Sequence, residues 1–476
     1  MRKQAFTFSL LLLFSYVAVR AINVNFTYDE IWTCSGFVSQ SYCDIIRLHP
    51  CDANNHILNT ILIKVLFYIC RPGPFIARIP NLIAFSLYLS TVYRLVKQDG
   101  AKGTSFFAAI LLCFNPFCLD FFSLARGYGL ALSFELLSIY LLLEYHRSNR
   151  VSILFAAVIS SGLAVFSNFS FLTFTCSFSV VIIIMAIRQS IKIKWLAPTV
   201  SFYIGLFIYS YLMLHKLQLA NKLYYGGNTG IYIDSLRSFL DFSTGRHLSA
   251  QSIPIVQLII TIAFLLVSTG AFVRMYLDKR VQWKPVTISL IFILCIAFIY
   301  LQHALLKTKL PIDRGVIFLY PLFCVSFVLN FNVLLHDRRS LLRYFLYTAL
   351  SIPVCANFIL NANIYKTIAW DFESRTVDML NLINAKGKSN NIVYRVDSSW
   401  PLLLQADYHK DYLSYDYLSP VSKESRSDLC DSCDYYLFIN ASNPKVGYDA
   451  DEENVKKIYR KTVLSYPKEH IYLLSK

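Results

Sequence analysis

Four clusters of polar residues in this sequence carry carboxylates, arginines or amides, and each lies beside a long apolar run. The clusters are Asp29-Glu30, Asn54-Asn55-His56-Ile57-Leu58-Asn59, the stretch 115–129 that contains Asp120 and Arg126, and Asp313-Arg314. Arginine forms bidentate pairs with phosphate oxygens, and a carboxylate can take the proton of an attacking hydroxyl. Gathered at one membrane interface, these residues would suit chemistry on a lipid-linked phosphate substrate.

The composition indicates that the elements positioning these clusters lie in a membrane. The chain has 476 residues, of which 56% are hydrophobic and 16% are charged, against about 25% charged in soluble domains. Its mean hydropathy is +0.48. A net charge of +16 would otherwise invite a nucleic-acid interpretation. The apolar composition excludes a soluble enzyme, a disordered chain and a nucleic-acid module.

Apolar runs of about 17–22 residues, long enough to cross a bilayer as helices, recur along the first three quarters of the chain. We assign eleven, near 5–21, 75–95, 103–119, 128–145, 151–167, 169–187, 198–214, 254–273, 285–302, 315–335 and 343–360.

Basic residues occur at every second connection between these runs, which predicts that those ends are cytoplasmic. They are Arg2, Lys3, Arg94, Lys97, Lys102, Arg147, Arg150, Arg188, Lys192, Lys194, Arg274, Lys279, Arg280, Lys284, Arg338, Arg339 and Arg343. The alternate loops, 22–74, 114–127, 215–253 and 303–314, are then expected to face outward. Arg2 and Lys3 place the N-terminus in the cytoplasm. An odd number of spans then places residues 361–476 outside.

The predicted fold class is an all-α polytopic membrane protein of about 11 helices, residues 1–360, followed by a small soluble extracytoplasmic α/β domain, residues 361–476. In that domain, 392–396 and 435–439 are typical of strands and 452–460 of a short helix. Cys430-Asp-Ser-Cys433 has neither a thioredoxin-like nor a zinc-site context. A local disulfide is therefore expected there, and Cys34, Cys43 and Cys51 share a loop in which disulfides are permitted.

The polar clusters carry a resemblance to a known family. The sequence resembles polytopic glycosyltransferases of the C superfamily, which includes protein O-mannosyltransferases, the aminoarabinose transferase acting on lipid A and bacterial relatives. The similar motifs are the acidic pair Asp29-Glu30, Asn54 to Asn59, Arg78-Ile79-Pro80, and Asp120-Phe-Phe-Ser-Leu-Ala-Arg126-Gly-Tyr128-Gly. The resemblance covers about residues 1–360 and the presence of an outer C-terminal domain.

The resemblance implies transfer of a sugar, with inversion, from a polyprenyl-phosphate donor to a lipid, glycan or protein acceptor on the outer face of a membrane, here expected to be a bacterial inner membrane. It implies a first-loop acid as general base. Neighbouring acids point in different directions, so we expect only one of the two to face the reacting group. Our candidate for the base is Asp29, with Glu30 second. Arg126 and Arg314 are candidates for the donor phosphate, and Asn55, His56, Asp120 and Tyr128 for other substrate contacts. We expect no essential metal, although Asp120 could help to hold a divalent ion.

Structural roles compete with each of these assignments. Asp29 and Glu30 could solvate a loop, and Arg126 could anchor a helix at the interface. His56 could brace the following helix, while Tyr128 could belong to an aromatic belt.

Two other function classes also fit a polytopic chain with long outer loops. An outer-leaflet glycan polymerase or ligase would depend on loop arginines, here Arg237 and Arg246, instead of on Asp29. A lipid-linked glycan transporter would need a polar path at mid-membrane, and the sequence has few intramembrane charges and no clear internal repeat.

Overall fold

The computed structural model describes residues 2–98, 102–188, 193–336, 340–420, 429–430, 432–440 and 452–476. Lys192, Arg338 and Arg339, which belong to the predicted cytoplasmic connections, lie outside the described residues.

Each of the eleven predicted apolar runs overlaps a helix, and the run 103–119 overlaps two. The helices of this part of the chain are α1 (Arg2–Asn23), α2 (Tyr28–Thr33), α3 (Tyr42–Ile46), α4 (Ile57–Ile69), α5 (Pro74–Gln98), α6 (Lys102–Cys113), α7 (Pro116–Asp120), α8 (Gly127–Ser148), α9 (Val151–Ser167), α10 (Leu172–Arg188), α11 (Ile193–Leu219), α12 (Arg237–Ser243), α13 (Ser252–Leu277), α14 (Trp283–Leu306), α15 (Leu319–Leu334) and α16 (Ser340–Asn361). Within the described residues, eight helices are long and apolar enough to cross a membrane, and α9 and α15 are apolar but shorter.

The run predicted at 103–119 is wrong in its second half, because the helix breaks inside it. Helix α6 ends at Cys113, and α7 starts at Pro116. Proline disfavours helical backbone in the residue before it, so Asn115 is extended, and its side chain accepts the backbone N–H of Cys118 at 3.1 Å. The break turns α7 into a short cap at the end of the bundle that carries Asp120.

The four loops predicted to face outward meet at one end of the bundle. Asp29 of the first loop lies 3.4 Å from Arg126 and 3.5 Å from Arg314. The two later loops are joined by Gly227 and Leu310, whose backbone N–H and C=O groups pair reciprocally at 2.9 Å. The prediction that these loops share one side is confirmed, and their outward orientation stays a prediction.

Basic connections lie together at the opposite end. Arg188 stacks over the Trp283 ring, with its guanidinium carbon 5.7 Å from the ring centroid. Arg274 donates from Nη1 to the carbonyl oxygen of Leu334 at 2.7 Å. The end of α10, the start of α14, the end of α13 and the end of α15 are therefore tied together away from the loop clusters.

The described residues of the C-terminal part form a five-stranded mixed sheet with helices. Its elements are α17 (Thr376–Asn390), β1 (Tyr394–Ser398), α18 (Trp400–Leu413), β2 (Leu418–Pro420), β3 (Tyr435–Ile439), α19 (Glu452–Ile458), β4 (Lys461–Tyr466) and β5 (Ile471–Ser475). The strand order is β2-β1-β3-β5-β4. Strand β1 runs parallel to β2 and β3, whereas β5 is antiparallel to β3 and β4.

The α/β character predicted for this part is confirmed, although the sequence patterns identified only β1, β3 and α19. The first of these lies two residues later than predicted, since 392–393 precede the strand. Cys430 and Cys433 form the expected disulfide. The loop cysteines Cys34, Cys43 and Cys51 are free thiols.

Candidate active site

Helix α2 begins with a capping box that fixes both first-loop acids. Thr27 accepts the backbone N–H of Glu30 with its hydroxyl, at 3.4 Å, and its own backbone N–H donates to Glu30 Oε2 at 2.9 Å. This reciprocal pairing satisfies two N–H groups that a helix start leaves without partners. The two acids that follow the cap then point in different directions, as neighbouring helical residues do.

The carboxylate of Glu30 is sealed inside the protein. Arg78 grips it with two hydrogen bonds, from Nε to Oε1 at 2.8 Å and from Nη2 to Oε2 at 2.7 Å, and neither side chain is exposed. The backbone N–H of Ala125 also donates to Oε1, at 2.6 Å. Both oxygens are thus occupied by donors that hold α2, α5 and the loop before α8 together.

Asp29 points instead into a partly open cluster of cations. Its Oδ2 lies 3.4 Å from Nη2 of Arg126 and 3.5 Å from Nη1 of Arg314, and its side chain is 13% exposed. Asn54 donates to Oδ1 at 3.2 Å. Burial would raise the pKa of Asp29, but the two arginines and the hydrogen bond from Asn54 outweigh it, so the pKa lies below the ordinary 3.8. The side chain is therefore ionised at neutral pH.

Arg126 is buried behind Asp29 and joins the first two loops. Its Nη2 donates to Asn54 Oδ1 at 2.6 Å, and its Nη1 reaches the carbonyl of Asp29 at 3.2 Å and Thr33 Oγ1 at 3.3 Å. Its Nε has no hydrogen-bond partner within the described structure. Arg126 is therefore in place both to orient Asp29 and to lend positive charge to a ligand.

The glycine after Arg126 permits this approach. A Cβ added to Gly127 would lie 1.9 Å from the carbonyl oxygen of Ser167 and 2.8 Å from Cβ of His56. Both contacts are far closer than van der Waals separation. Only glycine lets the start of α8 pack between the end of α9 and the residue that precedes α4.

Arg314 is held mainly by aromatic rings. Its guanidinium carbon lies 5.8 Å from the centroid of Tyr225 and 5.0 Å from that of Trp370, distances typical of cation–π contacts. Within the described part of the chain, its only polar side-chain contact is the 3.5 Å ion pair with Asp29. The side chain is 29% exposed, so its N–H groups remain available for an anion.

Asp313 makes its hydrogen bonds to the loop 215–253. Its carboxylate accepts the hydroxyl of Tyr225, and its backbone N–H donates to Ser238 Oγ at 2.8 Å. The residue has a positive φ of 50°, which is uncommon outside glycine. These contacts attach Asp313 to the loop 215–253, and they thereby fix the backbone position from which the Arg314 side chain extends.

His56 and Tyr128 line the same region. Their rings meet edge to face at 5.2 Å, and Tyr128 also packs on Phe121 at 4.6 Å. Burial and the charges of Arg126 and Arg314 hold the pKa of His56 well below 6.5, so its imidazole is neutral. Its Nε2 has no hydrogen-bond partner within the described structure. Substrate contact by these two residues stays a prediction.

Asn55 and Asp120, two other predicted substrate contacts, are engaged with the protein. The Asn55 amide donates to the carbonyl of Ile45 at 3.1 Å and accepts the hydroxyl of Thr60 at 3.0 Å. It is its neighbour Asn54 that lies against Asp29. A substrate role for Asn55 remains a prediction, and the structure shows this side chain stabilising the first loop.

Asp120 lies at the junction with the C-terminal domain. It forms an ion pair with Arg20 and accepts the backbone N–H of Ile368 at 2.7 Å. Burial raises the pKa of Asp120 to about 6, although Arg20 and that N–H act in the opposite direction. Arg20 itself donates to the carbonyl oxygens of Asn363 and Lys366, at 2.6 and 2.9 Å. The pair thereby anchors the connection that follows α16, and its role in substrate binding stays a prediction.

The two loop arginines of the polymerase alternative occupy different places. Arg237 lies 3.4 Å from Gln257 Oε1. Arg246 stacks on Phe242, with its guanidinium carbon 4.6 Å from the centroid, and lies 3.9 Å from Asp371.

Among the described residues, no group of three or more His, Cys, Asp or Glu side chains is arranged to hold a metal ion. Independence from metal stays a prediction, since activity has to be measured to test it.

The site also contains residues that the sequence reasoning did not select. Asn54, Tyr225 and Trp370 contact Asp29 or Arg314. Asn54 stood inside a motif already noted. For Tyr225 and Trp370 no local sequence signal exists, because they approach Arg314 from distant parts of the chain. The Thr27-x-x-Glu30 pattern was a usable signal for the capping box.

The helices, the converging loops and the C-terminal domain together form a fold that is found in a solved membrane-protein structure. The chain is similar to ArnT from Cupriavidus metallidurans in the apo state, with a TM-score of 0.51 and 9% identity over 100% of this chain and 98% of that chain. The structure of ArnT bound to undecaprenyl phosphate gives a TM-score of 0.49 at 8% identity, over 99% and 97% of the two chains. Arabinosyltransferase EmbB from Mycobacterium smegmatis gives 0.38 at 11% identity, over 75% of this chain and 39% of that chain.

By sequence, no family model and no curated protein matches this chain. At 9% identity, the similarity to ArnT establishes the fold.

Proposed function

We propose that this integral membrane protein is a glycosyltransferase that moves a sugar from a polyprenyl-phosphate donor to a hydroxyl of a lipid, glycan or protein acceptor, at the outer face of the membrane. The observation that carries the proposal is the position of Asp29, partly exposed and 3.4 and 3.5 Å from two arginines. One carboxylate and two guanidinium groups thus lie in one site, which supports their proposed roles as proton acceptor and phosphate-binding pair. The fold shared with ArnT supports the assignment.

Asp29 is the proposed catalytic base. It takes the proton of the acceptor hydroxyl while that oxygen attacks the anomeric carbon of the donor. The new glycosidic C–O bond forms as the bond from the anomeric carbon to the phosphate oxygen breaks. Polyprenyl phosphate leaves with both bonding electrons, and attack opposite the leaving group inverts the anomeric configuration.

Arg314 and Arg126 are proposed to neutralise the leaving phosphate. Arg314 is the more accessible, with 29% of its side chain exposed against 1% for Arg126. Rings of Tyr225 and Trp370 hold its guanidinium in place before the donor arrives. Charges arranged in advance stabilise developing negative charge without having to reorganise during the reaction.

Donor binding is also proposed to activate the base. In the free protein the two arginines depress the pKa of Asp29, and a weakly basic carboxylate accepts protons poorly. A phosphate shared between Arg126 and Arg314 offsets their positive charge. The pKa of Asp29 then rises toward its ordinary value, so the base strengthens when the donor is bound.

Replacing Arg314 with Ala is expected to raise the KM for the polyprenyl-phosphate sugar by about 10- to 100-fold, since a charge-assisted hydrogen bond contributes about 1.5–3 kcal/mol. The donor KM is measured in initial-rate assays with protein in lipid nanodiscs. Arg237→Ala is the matched control, because Arg237 donates to Gln257. The donor KM of this variant should stay near that of the wild type. An unchanged donor KM in Arg314→Ala would remove this residue from the donor site.

The function itself is tested by incubating the purified protein in lipid with a panel of radiolabelled polyprenyl-phosphate sugars and an extract of host glycolipids and glycoproteins. The proposal predicts label bound covalently to an acceptor. Movement of label across the bilayer without a new covalent product would favour the transporter alternative. Activity lost in Arg237→Ala and Arg246→Ala but kept in Asp29→Asn would favour the polymerase or ligase.

A further inference from the structure

Two buried side chains of the C-terminal domain hold the chain at the start of α2. Gln405 of α18 donates from Nε2 to the carbonyl oxygen of Phe26 at 3.0 Å and to Glu373 Oε2 at 2.9 Å. The same Oε2 accepts the backbone N–H of Tyr28 at 2.9 Å. Glu373 is 1% exposed and Gln405 is 0% exposed. The domain therefore binds the residues immediately before and after the cap residue Thr27.

Further contacts strengthen this attachment. The Asn25 amide donates to the carbonyl oxygens of Glu373 and Ser374, at 3.2 and 2.9 Å. The rings of Phe26 and Tyr408 pack with centroids 5.2 Å apart. Three of the four residues before Asp29, namely Asn25, Phe26 and Tyr28, are thus tied to the domain by hydrogen bonds or ring packing.

The attachment matters for Asp29 because Tyr28 immediately precedes it. The direction of a side chain follows from the backbone that carries it. Holding the Phe26 carbonyl and the Tyr28 N–H fixes the first turn of α2, while Glu30 fixes the opposite side through Arg78. The polar contacts of the Asp29 side chain within the described residues are 3.2–3.5 Å long, so the position of this side chain depends on the turn.

We propose that Glu373 and Gln405 are positioning residues through which the docked C-terminal domain sets the catalytic geometry of Asp29. The inference rests on the proposed function for its catalytic part and on the observed contacts for its structural part. Neither residue touches the reacting atoms.

Glu373 acts in this arrangement as a hydrogen-bond acceptor through its Oε2. Burial raises its pKa well above 4.5, and the nearby carboxylates of Asp29, Glu30 and Asp371 raise it further, although the Tyr28 N–H acts in the opposite direction. Glutamine has the same shape and keeps an acceptor oxygen. Glu373→Gln is therefore expected to preserve the attachment, while Glu373→Ala removes it.

The Ala variant is expected to lower kcat by about 10- to 100-fold, because a displacement of about 1 Å at a reacting group costs about that much. The donor KM should change less than kcat, since the rings of Tyr225 and Trp370, outside α2, hold Arg314. Glu373→Gln should restore kcat. A residue that only stabilised the fold would lower the amount of active protein, so kcat is normalised to the concentration of folded protein before the variants are compared.

The experiment measures both kinetics and hydrogen–deuterium exchange of the full-length protein in lipid nanodiscs. Glu373→Ala and Gln405→Ala are compared with Glu373→Gln and with the control Glu469→Ala. Glu469 is a buried acid of the same domain that pairs with Lys366 at 3.6 Å. Exchange is followed in a peptide that covers residues 26–33. Gln405→Ala provides the test if Glu373→Ala fails to fold.

The proposal expects faster exchange in residues 26–33 and a lower kcat for both disrupting variants, with wild-type behaviour in Glu373→Gln and Glu469→Ala. Unchanged exchange and kcat in the disrupting variants would overturn it, as would equal damage from Glu469→Ala. If exchange rises while the wild type transfers no sugar, the proposed function fails and the catalytic part of this inference falls with it. The attachment of α2 to the domain would then stand alone.

Discussion

Replacing Asp29 with Asn is expected to lower kcat by about 10²- to 10⁴-fold, the usual contribution of a general base. Asparagine keeps the size of the side chain but cannot accept the proton of the acceptor hydroxyl. The Asp29 side chain is 13% exposed, and Arg126 keeps its hydrogen bonds to Asn54, Thr33 and the residue 29 carbonyl, so the variant should fold and insert normally. Initial rates with a saturating donor, normalised to the amount of folded protein, measure the effect.

A matched control uses an acid outside the site. Glu144→Gln alters a carboxylate that pairs with Arg147, whose side chain is 63% exposed, and its kcat should equal that of the wild type. Donor affinity separates chemistry from binding, so polyprenyl phosphate should still bind to Asp29→Asn. Wild-type turnover in Asp29→Asn would exclude Asp29 as the base.

The same argument predicts a pH dependence with a defined sign. The base must be ionised, and its pKa in the free protein lies below 3.8. kcat/KM reports the free enzyme, so it should fall only as the pH drops through that lowered pKa. kcat reports the donor complex, in which the arginines are neutralised, so its acid limb should lie at higher pH. Coincident acid limbs for kcat and kcat/KM would contradict activation by the donor.

Replacing Glu30 or Arg78 with Ala is expected to lower the free energy of unfolding by about 3–5 kcal/mol, because each change leaves an uncompensated charge in the interior. Both side chains are completely buried and joined by two hydrogen bonds of 2.7 and 2.8 Å. Loss of Glu30 also strips a partner from the backbone N–H of Ala125. Thermal unfolding in detergent and the yield of inserted protein measure the effect.

The surface pair Glu144–Arg147 again provides the control. Arg147→Ala removes an exposed partner and should cost about 1 kcal/mol or less. The double variant Glu30→Ala/Arg78→Ala should be less destabilised than the sum of the two single variants, since residues in one ion pair couple by about 0.5–3 kcal/mol. Additive losses would show that the two side chains do not act as a pair.

These two predictions separate the acids that the sequence places side by side. Sequence reasoning ranked Asp29 before Glu30 without a structural reason for the order. The structure supplies one, because Glu30 closes a capping box and accepts donors from Arg78 and Ala125, whereas Asp29 faces the arginines. The structure therefore supports the proposal that Asp29 is the base, and it shows Glu30 stabilising the start of α2.

Much of the fold could be predicted because hydrophobic length and basic connections are local properties. The apolar runs mark the helices, and alternate connections mark which loops share one end, which is why Asp29, Arg126 and Arg314 were expected on one side. The break at Asn115-Pro116 was within reach of the same reasoning, since proline restricts the residue before it.

The remainder depends on long-range packing that no local pattern records. The spacing of the motif could not tell whether Asn54 or Asn55 would face Asp29. Tyr225 and Trp370 reach Arg314 from a later loop and from the C-terminal connection, and Glu373 reaches Tyr28 across 345 positions of the chain. The side chains that the C-terminal domain contributes therefore could not be identified from the sequence.

The central claim is that the protein forms a glycosidic bond with Asp29 as base, and one measurement tests it most directly. Wild type, Asp29→Asn and Glu144→Gln in nanodiscs are each given a labelled polyprenyl-phosphate sugar and host acceptors, and the acceptor fraction is analysed by mass spectrometry. The account predicts an acceptor heavier by one sugar residue with wild type and Glu144→Gln, and none above background with Asp29→Asn. Equal product from all three proteins would contradict it.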